Sequence, residues 1–172
     1  YTGGKAGAER DRWLARAISG AGERLAGLRD RVLEAARLQR HSLVLDINVG
    51  TGLLTWEALR RAPEGGVWAL AYTAREADSL RETAARLSPV ERPVVLQGVI
   101  AELPDLLEMR GERAVRFDAA VGRSALGPKR YGRAEVSDSA AAARPFGQLY
   151  LPAQVLSDLL RPGGWLSLAE PL

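Results

Sequence analysis

Apolar and polar positions change period several times along the chain, and the changes mark the elements. Residues 7–19 and 23–39 place Trp13, Leu14 and Ile18, then Leu25, Leu28, Val32, Leu33 and Leu38, near helical spacing, so two N-terminal helices are expected. SLVLDI (42–47) is apolar without alternation, as a strand covered on both faces requires. GLLTWEALRRA (52–62) then returns to the helical period. Further strands are predicted at 65–73, 92–99, 116–124 and 163–171, and further helices at 74–87, 101–110 and 152–161.

Strand and helix alternate after residue 41. That predicts an α/β fold, a Rossmann-like doubly wound, mainly parallel sheet with helices on both faces. The expected organisation is an N-terminal helical segment over 1–40 and a Rossmann domain over 41–172. Residues 125–151, rich in Gly, Pro, Ala and Ser, are longer than an ordinary connection and are read as a flexible insertion on the rim of a site.

Composition narrows the chemistry. The 172 residues contain no Cys and a single His, His41, which excludes Cys-based zinc, thiol nucleophiles and His clusters. His41 has no triad pattern around it and is expected in an exposed turn. Net charge is +3, and 22 of the 24 basic residues are Arg, with Lys only at 5 and 129. Acids are interleaved with Arg61, Arg110, Arg113, Arg123, Arg130 and Arg133, so no nucleic-acid patch is indicated. No apolar run reaches membrane-spanning length and the N-terminus has no signal-peptide core, so a cytoplasmic protein is expected. The chain opens on Tyr1 and stops just after a predicted strand, which reads as one domain of a longer protein.

The chemistry is concentrated in DINVGTG, residues 46–52. A glycine turn between a buried strand and a helix lets backbone approach a ligand and adds the helix N-terminal donors. A nicotinamide site fits poorly, because Gly50-x-Gly52 is followed by Thr at position 55 where a third glycine is needed. TGGKA (2–6) lacks the remaining P-loop residues. Trp68, inside a predicted strand, is assigned to the core.

DINVGTG, FDAAVGRSAL (117–126) and LLRPGGWLSLAEP (159–171), at this spacing, resemble the class I S-adenosylmethionine-dependent methyltransferases. The resemblance runs from about residue 23 to the end. It implies S-adenosylmethionine as cofactor, with Asp46, Asn48, Gly50 and Gly52 around its methionine end and Tyr72 against adenine. Three positions depart from the family pattern. Asn48 stands for the first motif glycine, where a left-handed turn and contact with the ligand are expected. Ala71 stands for the acid that grips ribose, and Val99 for the acid that meets the adenine amino group. The resemblance therefore implies a methyltransferase-like domain whose cofactor binding is weak or lost; an active methyltransferase of unknown substrate is the alternative. No catalytic residue is assigned, because methyl transfer depends mainly on positioning. HSLVLDINVGTGLLTWEALRRAPEGGVWAL (41–70) is also similar to an uncharacterised domain fused behind a replication-associated recombination AAA+ ATPase. That second resemblance implies an accessory role beside such an ATPase in the same chain.

Overall fold

The computed structural model describes residues 3–20, 25–126 and 147–170. Its elements, in chain order, are α1 (Gly3–Gly20), α2 (Ala26–Ala35), β1 (Leu43–Asp46), α3 (Leu53–Arg61), β2 (Gly66–Ala71), α4 (Ala74–Ala84), β3 (Val94–Gln97), α5 (Leu103–Met109), β4 (Phe117–Arg123), α6 (Gly147–Leu159) and β5 (Leu160–Ala169). The five strands form one parallel sheet in the order β3-β2-β1-β4-β5. Strand order reverses between β1 and β4, which makes their carboxyl ends the topological switch point. This is the Rossmann-like sheet with N-terminal helices that the alternating pattern predicts.

The apolar strands are explained by two cores, one on each face. Val44, Val67, Ala69, Ala71, Ala119 and Val121 face α1 to α4, through Leu14, Val32, Leu33, Leu54, Leu59, Ala77 and Leu80. Leu45, Leu70, Leu96, Phe117 and Ala120 face α5 and α6, through Leu103, Leu107, Leu156 and Leu159. Trp68 is partly buried against this second core; it meets Phe117 edge-on at 5.3 Å and donates its indole N–H to Glu112 at 2.9 Å.

Both N-terminal helices lie on the first face. Trp13 meets Trp56 edge-on at 5.3 Å, and the Arg10 guanidinium donates to the Leu59 carbonyl at 3.4 Å. Arg61 reaches Asp30 at 3.3 Å and Glu57 at 2.8 Å, tying α2 to α3. The Glu57 side chain is buried, which raises its pKa, but bonds from Arg60 and Arg61 overcome that and hold it below the usual value.

Some predicted boundaries move. The second helix was expected to reach residue 39, but it ends at Ala35 because Arg37 adopts a left-handed backbone (φ 50°) and turns the chain toward β1. The last helix starts at Gly147, not 152, so the final residues of the predicted insertion form its opening turns, with Pro152 inside the helix. The rest of that insertion, from 127 to 146, lies outside the described residues. The fifth strand begins at Leu160. Its pairing with β4 is interrupted, since Phe117 faces Leu160 but Ala119 faces Trp165. The Arg161–Gly164 stretch bulges out between them. Among the described residues β5 pairs only with β4, and Trp165 and Leu166 on it are 41% and 44% exposed. No helix among the described residues is long and apolar enough to cross a membrane.

Two glycines with opposite surroundings test this packing. A Cβ at Gly65 would lie 2.0 Å from the Ser42 carbonyl oxygen, whereas a Cβ at Gly27, in α2, would meet nothing within 4 Å. Gly65→Ala is expected to cost about 1–3 kcal/mol or more by forcing the two backbones apart. Gly27→Ala is expected to stabilise by about 1 kcal/mol through helix propensity. Urea midpoints of the two variants check both signs.

Candidate functional site

The turn after β1 sits at the switch point and is pinned to the strands on both sides. Ile47 N–H donates to the Val121 carbonyl of β4 at 2.9 Å, and Val49 N–H donates to the Leu70 carbonyl of β2 at 3.0 Å. Gly50 (φ 51°) and Gly52 (φ 81°) supply the left-handed residues, Gly52 as the cap of α3. The two glycines answer different needs. A Cβ on Gly52 would strike the Trp56 indole nitrogen at 2.6 Å, so this glycine admits the packed tryptophan. A Cβ on Gly50 would meet nothing within 4 Å, so its side of the turn faces open space.

Asp46 is fully buried beneath the turn. One carboxylate oxygen accepts Asn48 N–H at 3.1 Å, and the other accepts the Thr55 hydroxyl at 2.7 Å. Both oxygens are engaged in holding the turn against the first turns of α3. Burial raises the Asp46 pKa to about 6, opposed in part by bonds from the Thr55 side chain and the Asn48 and Thr55 backbones.

Asn48 does not take the left-handed conformation anticipated for it; among the described non-glycine residues only Arg37 and Ser124 have positive φ. Its side-chain amide donates to the Arg123 carbonyl, and to that of Ser124 at 3.2 Å. The side chain thus lies across the crevice between the carboxyl ends of β1 and β4.

At the end of β2, Ala71 is fully buried in the same apolar cluster as Val49 and Ala77. Tyr72 follows it, 37% exposed. The nearby carboxylate of Glu76 turns back on the backbone, accepting Tyr72 N–H at 3.0 Å and Thr73 N–H at 3.1 Å, while Thr73 caps α4. The end of β3 repeats the device: Glu102 accepts Val99 N–H at 3.0 Å and lies against Gly98. The five sequence-assigned residues Asp46, Asn48, Gly50, Gly52 and Tyr72 therefore all sit at the carboxyl end of the sheet. Asp118 sits at the other end, where its carboxylate accepts Leu43 N–H at 2.7 Å and Arg161 at 2.8 Å. His41 is exposed in the turn before β1.

Sequence reasoning missed Thr55 as the partner of Asp46, although a hydroxyl one turn into a helix behind a strand-end acid was visible. It also missed Glu102, because Val at 99 hides the usual capping pattern.

No protein-family profile and no curated protein matches this sequence. Solved structures do resemble it. Coclaurine N-methyltransferase bound to N-methylheliamine and S-adenosylhomocysteine (SAH) superimposes with a TM-score of 0.59 at 18% identity, covering 83% of this chain and 34% of that enzyme. TrmN from Thermus thermophilus gives 0.60 at 21% identity, covering 83% and 37%. The CcbJ methyltransferase from Streptomyces caelestis gives 0.53 at 23%, covering 80% and 47%. The fold is therefore that of the S-adenosylmethionine-dependent methyltransferases. The chain spans a third to a half of the length of these enzymes.

The raised pKa of Asp46 has a sign that can be measured. The folded protein keeps this proton up to about pH 6, whereas the unfolded chain releases it near 3.8. Stability should fall as pH rises through that interval and stay lower above it. The gap corresponds to about 3 kcal/mol. Asp46→Asn removes the titration, so wild type should lose about 2 kcal/mol more than the variant between about pH 4 and pH 7. Denaturant titrations at the two pH values decide it, and parallel losses would contradict a proton on Asp46.

Proposed function

We propose that this chain is a methyltransferase-fold domain whose hold on S-adenosylmethionine is weak or lost, and that it serves as a binding or assembly module of a larger protein. The observation that carries this reading is Ala71, fully buried at the end of β2 where the enzymes it resembles bear the ribose-binding acid. Glu76, the acid close by, has an oxygen committed to the Tyr72 and Thr73 N–H groups. Losing a charged acceptor costs about 1.5–3 kcal/mol, or about ten- to a hundredfold in affinity. Val99 at the end of β3 removes a second acid. Asp46, Asn48, Gly50, Gly52 and Tyr72 are then what remains of a cofactor cleft.

The proposed partner is an AAA+ ATPase domain in the same chain, on the resemblance of residues 41–70. The β5 edge, unpaired among the described residues, supports a docking role, because an open edge is a template for another strand. One observation favours the second reading, an active methyltransferase. The space beside Gly50 is open, as close approach of a ligand to the turn requires.

Calorimetric titration with S-adenosylmethionine and SAH separates the two. The proposal expects no saturable heat at about 1 mM ligand. Micromolar binding of either compound would overturn it and establish that other groups replace the missing acids.

A further inference from the structure

One of the two left-handed non-glycine residues among those described lies away from the cofactor cleft, at the amino end of the sheet. Arg37 occupies the left-handed position after α2, where glycine is the ordinary choice. An L residue there costs about 1–2 kcal/mol. The conformation lays the Arg37 guanidinium over the exposed ring of Trp165, 4.5 Å from its centroid. Arg37 makes no ion pair among the described residues.

Arg37 and Trp165 line a cavity of about 360 Å³, together with His41, Asp118, Arg161 and Gly164. Its floor is the bulge that opens β5. Gly164 is required there, because a Cβ would come within 2.9 Å of the Arg161 carbonyl and 3.2 Å of the Asp118 carbonyl. Asp118 contributes little free negative charge. One of its oxygens accepts Arg161 and the other accepts Leu43 N–H. Arg161 makes that bond through one terminal nitrogen and keeps further donors. The lining is therefore cationic, rich in hydrogen-bond donors and flanked by an aromatic ring.

We propose that this cavity binds a small phosphate-bearing ligand. The guanidinium of Arg37 and the imidazole of His41 hold the phosphate, with the remaining donors of Arg161 as a third support. A carboxylate offers two oxygens, fewer than these three side chains can serve. A phosphate monoester offers three non-bridging oxygens and a larger charge, which suits a forked guanidinium. The ring of Trp165 borders the same space and gives the organic part of an ester an apolar surface. The size is that of a small-molecule site. The site lies at the opposite end of the sheet from the Gly50–Gly52 turn, so it is independent of cofactor binding.

The test follows the indole N–H signal of Trp165 by NMR, assigned by its disappearance in Trp165→Phe. The probes are inorganic phosphate and adenosine 5′-monophosphate, with chloride at equal ionic strength as control. A saturable shift with phosphate is expected, weakened about tenfold or more in Arg37→Gln and also in His41→Gln, as loss of a charge-assisted bond requires. Tighter binding of the nucleotide than of phosphate would mean that Trp165 takes the organic group. Equal binding would mean a site for the free oxyanion. A shift reproduced by chloride would overturn the proposal, as would no saturation at about 10 mM phosphate or affinities unchanged in both variants. If Arg37→Gln fails to fold, His41→Gln in the exposed turn decides.

Discussion

The arrangement of the carboxyl end of the sheet depends on one buried group, the carboxylate of Asp46. It stands at the last position of β1 and accepts bonds from Asn48 N–H and the Thr55 hydroxyl. Strand, turn and helix are thereby joined at a single point that water does not reach. The turn is then held sideways by Val121 and Leu70, the carbonyls of the flanking strands. Burying a carboxyl is costly unless its oxygens are occupied, and here both are. The residual cost appears as a proton retained to about pH 6.

The neighbouring strand ends follow a different logic. At β2 and β3 the carboxylates come from one turn into the following element, and they fold back onto the backbone N–H groups at the strand ends. Glu76 and Glu102 satisfy donors that the turn leaves open. Asn48 does the converse with the terminal carbonyls of β4. Self-satisfaction of the backbone makes these turns stable without a ligand. It also leaves fewer polar groups at these strand ends for a ligand.

The amino end of the sheet is built around Asp118. Its carboxylate joins three strands, through Leu43 of β1, its own position in β4, and Arg161 at the start of β5. The β5 bulge that this pairing accommodates makes the cavity beside Arg37 and Trp165. The fold thus presents polar features at both ends of one sheet, separated by its full strand length and by different chemistry.

The alternating order of strands and helices was legible in the chain because continuous apolar runs such as residues 42–47 can only be buried on both faces. The glycine turn was legible for the same local reason, since Gly50 and Gly52 serve left-handed positions that other residues avoid. The capping of α4 by Thr73 and Glu76 also has a readable spacing. What remained hidden depends on residues far apart in sequence. The direction of the Asn48 amide is set by carbonyls 75 and 76 positions away. Asp118, a strand-start residue in the motif, is defined by Arg161 and Leu43. Arg37 and Trp165 have no local relation at all, and they meet because α2 packs beside β5. Periodicity and turn chemistry act over a few residues and can be read one segment at a time. Hydrogen-bond partners and cavities are set by which segments the sheet brings side by side, and only the tertiary structure decides that.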